Sequence, residues 1–273
     1  MDSSGVASFY GRGNLGDTLF GALEAAGFDP ANLGPEDLSP VDEFHIRGAE
    51  ATGELMDLAG FGPEDRVLDV GCGIGGPARR LARERGCLVT GLELTEEYCR
   101  LGADLTARVG LAEQMEFRQG DAQVMPFGDA SFDGVWTLHM SMNVPDKDRL
   151  LGEIRRVLRP GGRLAMYEIV AGSGEAVHYP VPWASDPALS HLTTAEGLRS
   201  GLEGQGFRVV HWEDTSDRAT EFFASLLDRN RKEGPPALGL HLLLGPDMPK
   251  MATNMLHNLE EGRVRVLRLV MDG

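Results

Sequence analysis

Apolar and polar positions change their rhythm at Asp65. From Arg66 onward, short apolar runs alternate with stretches whose apolar residues recur every three or four positions. The runs Arg66–Val70, Cys87–Leu92, Met115–Gln119, Phe132–Thr137 and Arg163–Val170 are the length of strands, and the first three lead directly into Gly71, Glu93 and Gly120. Between them, the pattern predicts helices over 77–84, from Thr95 to about Val109, and over Asp146–Leu158. In the last, Leu150, Leu151, Ile154, Val157 and Leu158 share one face. Pro77 suits a first helical turn, Thr95 an N-cap and Gly110 a C-terminal stop. Arg159-Pro160-Gly161-Gly162 reads as a turn. Helices are predicted at 195–204 and 217–233 and strands at Phe207–Trp212 and Arg263–Met271, whereas 234–262 is ambiguous but mostly helical.

Strands alternating with helices at this spacing predict βαβ units and a parallel sheet. The first 60 residues differ. Glycines interrupt the early stretch, Pro30, Pro35 and Pro40 punctuate the next, and helices are expected near Thr18–Ala26 and from about Ile46 to Ala59. Residues 1–60 therefore read as an N-terminal lid or substrate region. Residues 61–273 read as the main domain, with a Gly-, Pro- and Trp-rich insertion at about 171–193.

Composition narrows the partners. A formal net charge of −16 disfavours phosphate backbones and anionic membranes, since binding to them relies on Lys and Arg. No apolar run reaches the length of a membrane span, and the polar start Met1-Asp2-Ser3-Ser4 does not resemble a secretory signal. Cys72, Cys87 and Cys99 form no CxxC pair and no even framework, as expected of reduced thiols in a cytoplasmic protein. The histidines are scattered, so no metal site is expected. A small-molecule partner is expected, and homodimerisation is left open.

The strongest chemical feature is Val67-Leu68-Asp69-Val70-Gly71-Cys72-Gly73-Ile74-Gly75-Gly76. Ligands of parallel sheets sit at the carboxyl ends of strands, and glycines there admit close backbone approach. Gly71-x-Gly73-x-x-Gly76 also satisfies the dinucleotide pattern, so an NAD-dependent oxidoreductase is an alternative. Glu93 does not discriminate, since either cofactor offers ribose hydroxyls. Asp69 does: a carboxylate before the first glycine repels pyrophosphate but suits an ammonium or sulfonium group, or ribose hydroxyls. Asp121, after the third strand, suits an adenine amino group.

These motifs resemble the class I S-adenosylmethionine-dependent methyltransferases. Leu68–Gly75 looks like that superfamily's first motif, Glu93 its ribose-binding acid, and Asp121-Ala122 its adenine-binding motif. Phe132-Asp133-Gly134-Val135-Trp136 and Val157–Gly162 resemble later motifs. The resemblance spans about 60–215. It implies an α/β, Rossmann-like, doubly wound seven-stranded sheet with the last strand antiparallel, capped by an N-terminal helical lid. It also implies S-adenosylmethionine as cofactor, S-adenosylhomocysteine as product, and Asp69, Gly71, Cys72, Gly73, Glu93, Leu94, Asp121, Ala122, Thr137 and His139 as cofactor contacts.

Methyl transfer needs alignment and dryness more than a dedicated nucleophile. His139, His45 and Tyr10 are the candidates for orienting the acceptor or taking its proton. Phe44, Arg47, Met142, Asn143, His178 and Trp183 are the candidates for holding it. Arg47 would pair with a carboxylate, and Trp183 would meet an alkylammonium by cation–π attraction. Phe44-His45, His139–Asn143 and Pro180-Val181-Pro182-Trp183 loosely resemble bacterial sarcosine/dimethylglycine-type N-methyltransferases. That favours an amine or amino-acid nitrogen as acceptor, with O- or C-methylation of a phenolic, quinone or isoprenoid product as the alternative.

Overall fold

The computed structural model describes Gly5, Tyr10 and residues 13–273; the expectations placed on Met1–Ser4 and Gly11 lie outside these residues. Helices α1 (Leu15–Ala25), α2 (Pro35–Asp42) and α3 (Gly48–Ala59) lead into the alternating series. That series runs β1 (Arg66–Val70), α4 (Gly76–Arg85), β2 (Leu88–Glu93), α5 (Glu96–Arg108), β3 (Met115–Gln119), β4 (Phe132–Leu138), α6 (Lys147–Val157) and β5 (Leu158–Ala171). It closes with α7 (Ala195–Gly204), β6 (Arg208–Asp214), α8 (Ser216–Glu233), α9 (His241–Leu244), α10 (Met248–Glu260) and β7 (Val264–Asp272).

The sheet has seven strands in the order β3-β2-β1-β4-β5-β7-β6. β7 lies between β5 and β6 and runs antiparallel to both; the other described pairings are parallel. The order reverses between β1 and β4, which places a crevice at their carboxyl ends. Apolar residues cover both faces. Val67 and Val89 pack with Leu55, Met56, Leu81 and Ala252 on one side, and Leu68 and Val70 with Leu150, Ile154, Leu198 and Leu202 on the other.

Two departures from the sequence reading have local causes. α2 was not foreseen, because Pro35 read as a break; it stands at the helix start, where its missing N–H is no loss, and the Asp37 carboxylate accepts the Gly34 N–H at 2.7 Å. The expected turn at Arg159–Gly162 is a bulge within β5. The register jumps from Phe132↔Leu158 to Gly134↔Arg163, and Gly161 takes φ +77°. The described part of the N-terminal region packs on the alternating series. Leu15, Leu19 and Leu23 of α1 pack with Ile74, Tyr98, Leu101, Leu105 and Leu243.

Candidate active site

A cavity of about 400 Å³ opens at the carboxyl ends of β1, β2 and β4. Its floor is the glycine turn. The Gly71 N–H donates to the Leu92 carbonyl at 2.8 Å, folding the turn back over β2. Gly71 has φ +76°, and a Cβ there would stand 2.1 Å from Met140 Cγ, so only glycine fits. The Glu93 carboxylate accepts from the Gly73 N–H at 3.1 Å and the Thr95 N–H at 2.9 Å. Asp69, Cys72, Leu94, Asp121 and Ala122 also face the cavity. Burial pushes the Asp69 carboxyl up to about 8, and the nearby charges of Glu93 and Glu43 add to this. Burial likewise raises Glu93. This wall is thus rich in carboxyls and glycine backbone, a match for a cation bearing hydroxyls.

Facing the turn is a ring cluster. His139 stacks on Tyr167 with centroids 4.7 Å apart, and His45 meets both edge-on at 6.0 and 5.9 Å. His139 follows β4 with φ +51°, unusual for a side-chain-bearing residue, and its N–H donates to the Tyr167 carbonyl at 2.7 Å. The Ile46 N–H donates to His139 Nδ1 at 3.4 Å, which keeps that nitrogen unprotonated. Burial, then the neighbouring His45, drives His139 well below the ordinary histidine range, so it is neutral at pH 7. Tyr10 donates its hydroxyl to Asn143 Oδ1 at 3.3 Å, and the Asn143 amide donates to the Trp183 carbonyl at 2.8 Å. Burial, with Tyr98 and Glu93 adding, raises the Tyr10 phenol.

A buried carboxyl and a half-buried ammonium hold the lip carrying Met140, Met142 and Asn143. The Glu168 carboxylate accepts from the Ser141 hydroxyl (2.7 Å) and N–H (3.1 Å) and from the Thr137 hydroxyl (3.1 Å). The Lys147 ammonium donates to the carbonyls of Ser141 (2.8 Å), Val144 and His191 (2.6 Å). The His191 N–H in turn donates to the Met142 carbonyl at 2.8 Å. The insertion 171–193 is thereby tied down over the cavity.

Three expected site residues stand elsewhere. Arg47 donates to Glu50 at 2.6 Å and to Glu54 at 2.9 Å and does not line the cavity, because two carboxylates within a turn or two of α3 already satisfy it. His178 faces Glu261 at 3.0 Å on the surface. Thr137 is fully buried behind the lip, spent on Glu168. Phe44, His45, Met142, Asn143 and Trp183 do line the cavity, with Tyr10 and His139. The sequence reading missed its far wall: Phe222, Phe223 and Leu226 of α8, Leu244 of α9, and Met248 and Met255 of α10. The three- and four-residue spacing on α8 was a readable signal, but it does not say whether a face meets core or cavity. Among the described lining residues there is no Lys or Arg, among the described residues no cluster suited to a metal, and no described helix is long and apolar enough to cross a membrane.

Residues 68–166 match the family model described as a methyltransferase domain. A sterol 24-C-methyltransferase of Eremothecium gossypii is 44% identical over 184 residues, covering 64% of this chain and 49% of the relative. The 27-O-demethylrifamycin SV methyltransferase of Amycolatopsis mediterranei is 41% identical over 121 residues, covering 43% and 44%. The chain thus spans about half the length of the curated relatives it matches. Among solved structures, the [4+2]-cyclase SpnF superposes with a TM-score of 0.71 at 25% identity, covering 100% of this chain and 97% of that one.

Proposed function

Because the chain carries a class I S-adenosylmethionine-dependent methyltransferase domain, we propose that it transfers the methyl group of S-adenosylmethionine to an uncharged, largely apolar small molecule. One observation carries this: a cavity joins the carboxyl-rich glycine turn to a chamber walled by Phe, Trp, Leu and Met, with no Lys or Arg among its described lining residues. S-adenosylmethionine supplies a methyl carbon activated by its sulfonium. Asp69 and the backbone at Gly71–Gly73 suit its charged amino-acid end, Glu93 the ribose hydroxyls, and Leu94 with Asp121-Ala122 the adenine. The ring cluster of His45, His139 and Tyr167 then stands beside the methyl-transfer position. The ordered lid excludes water there, which strengthens every polar contact within.

The amino-acid acceptor favoured by the sequence is less well supported. Its carboxylate would need a cation, and Arg47 is committed to Glu50 and Glu54. A phosphorylated acceptor meets the same objection. An apolar acceptor fits the relatives named for a sterol and for a rifamycin derivative. Calorimetry with S-adenosylmethionine, S-adenosylhomocysteine and NAD tests the cofactor: tight binding of the first two and none of NAD is expected. Formation of S-adenosylhomocysteine in step with a product heavier by one methyl tests the transfer. Conversion of an acceptor without consumption of S-adenosylmethionine, as the likeness to a cyclase would suggest, would overturn it.

A further inference from the structure

His45 is held in one tautomer. Its Nε2 stands 2.9 Å from the Gly48 carbonyl, which only accepts, so Nε2 carries the proton and Nδ1 is bare. Thr52 Oγ1 lies 3.0 Å from the same Nε2, and the Thr52 hydroxyl donates to Glu43 Oε2 at 2.7 Å. Glu43, His45 and Thr52 are all buried, but of the three only His45 lines the cavity. A line of exchangeable protons thus runs from the cavity wall to a buried carboxylate. Its members come from the end of α2, the α2–α3 link and α3.

From this geometry, and resting on the methyl-transfer reading above, we propose that the acceptor atom is a hydroxyl oxygen and that His45, Thr52 and Glu43 form the relay that takes its proton. The oxygen lone pair forms the new O–C bond as the S–C bond breaks, and that electron pair stays on sulfur as a neutral thioether. The hydroxyl proton passes to His45 Nδ1, the Nε2 proton to Thr52 Oγ1, and the proton of Thr52 to Glu43, which becomes a carboxylic acid. After product leaves, the relay runs backward and the proton returns to solvent through the cavity. Neither an alkene carbon nor a neutral tertiary amine has a proton to deliver before methyl transfer. Burial lowers His45 to about 4, so alone it would hold the proton poorly; Glu43, raised to about 7 by burial, completes the relay near neutrality. Asp42, Asp69, Arg79 and Arg80 are the charges around Glu43, and His139 faces His45.

The test uses the full chain with S-adenosylmethionine and three probes on one skeleton: geraniol, geranylamine and geranyl diphosphate. Geraniol is expected to be O-methylated. His45→Gln is expected to lower kcat by roughly 10²- to 10³-fold and Thr52→Val by about tenfold, with S-adenosylmethionine affinity unchanged and Thr52→Ser restoring the rate. In the wild type kcat should rise with pH to a plateau above about 7; in Glu43→Gln that limb should vanish. Independently of turnover, ¹⁵N NMR of labelled histidine should show His45 with Nε2 protonated and Nδ1 bare. An Nδ1-protonated His45, products methylated only on carbon or nitrogen, or a Thr52→Val enzyme at the wild-type rate would overturn the relay. Absence of S-adenosylmethionine binding would instead overturn the methyltransferase reading, with the NMR result still deciding the tautomer.

Discussion

At the scale of single residues, the cavity acids carry the sharpest consequences. Glu93 spends both oxygens on the glycine turn and its neighbour, so it shapes the turn as well as facing the ligand. Replacing it by Ala is expected to weaken S-adenosylmethionine binding about 10- to 100-fold, the worth of one or two hydrogen bonds to a charged group, read by calorimetry. Gly71→Ala should do more. The new methyl would overlap Met140 and the backbone would be forced to φ +76°, so loss of measurable binding together with a lowered melting temperature is expected. Asp69 makes binding pH-dependent. Its carboxyl titrates near 8 in the protein, and a cationic ligand favours the ionised form. Affinity should therefore tighten as pH rises from 6.5 to 8, and Asp69→Asn should flatten that slope.

At the scale of elements, the lip after β4 is held by opposite charges: Glu168 takes its N–H and O–H groups, and Lys147 takes its carbonyls and one from the insertion. Burial lowers Lys147 to about 8, against the pull of Glu168; His191 lies beside it. Above that pH the ammonium loses a proton and the clamp weakens. The acceptor KM is expected to rise above pH 8 while the dissociation constant of S-adenosylmethionine follows only the Asp69 titration. Lys147→Arg should keep the KM low to higher pH, and Lys147→Met should raise it at every pH; a flat KM in all three proteins would remove this role. The same scale shows why the lid was hard to read. The β5 insertion announced itself through Pro180-Val181-Pro182-Trp183, but α9 and α10 lie in a stretch with no clear period. Their apolar residues serve both the core and the cavity wall.

At the scale of the whole molecule, the N-terminal helices are bound to the cofactor turn by a buried ion pair. Arg79 of α4 donates to Asp42 of α2 at 2.8 Å, to the Ile74 carbonyl at 2.7 Å and to Thr106 at 3.1 Å. Arg79→Met strands the Asp42 carboxylate and should cost about 3–5 kcal/mol of unfolding free energy, measured by urea denaturation. Stability should also depend on pH in a definite sense. Asp69 and Glu43 are raised, to about 8 and about 7, so their contribution is complete below pH 4 and is lost as pH rises through those values. His45 and His139 are lowered and act oppositely, but only below about 6.5. Between pH 6.5 and 8 the acids dominate, Lys147 opposing them only as pH nears 8, and the melting temperature of the ligand-free protein should fall. Saturating S-adenosylmethionine should reduce that fall.

Much was determined by sequence alone. Strand and helix periods near β1–β5 are local properties, and Gly71, Gly73, Glu93 and Asp121 stand at strand ends because the alternation puts them there. β7 was likewise legible as an alternating run, though its antiparallel course came from the resemblance and its place between β5 and β6 from the structure. Side-chain partnerships were not legible, because sequence pattern gives the face a residue takes and not where its side chain reaches, whether the partner is 7 residues away, as Glu54 is from Arg47, or 31, as Glu168 is from Thr137. Arg47 looked like a substrate anchor until Glu54 appeared about two turns along α3, and Thr137 looked like a cofactor contact until Glu168 claimed it. His45 was legible as a candidate base, but its tautomer and partners were not. The Gly48 carbonyl, Thr52 and Glu43 gave it a tautomer and a proton path, and the curl of the chain between α2 and α3 brings these groups together.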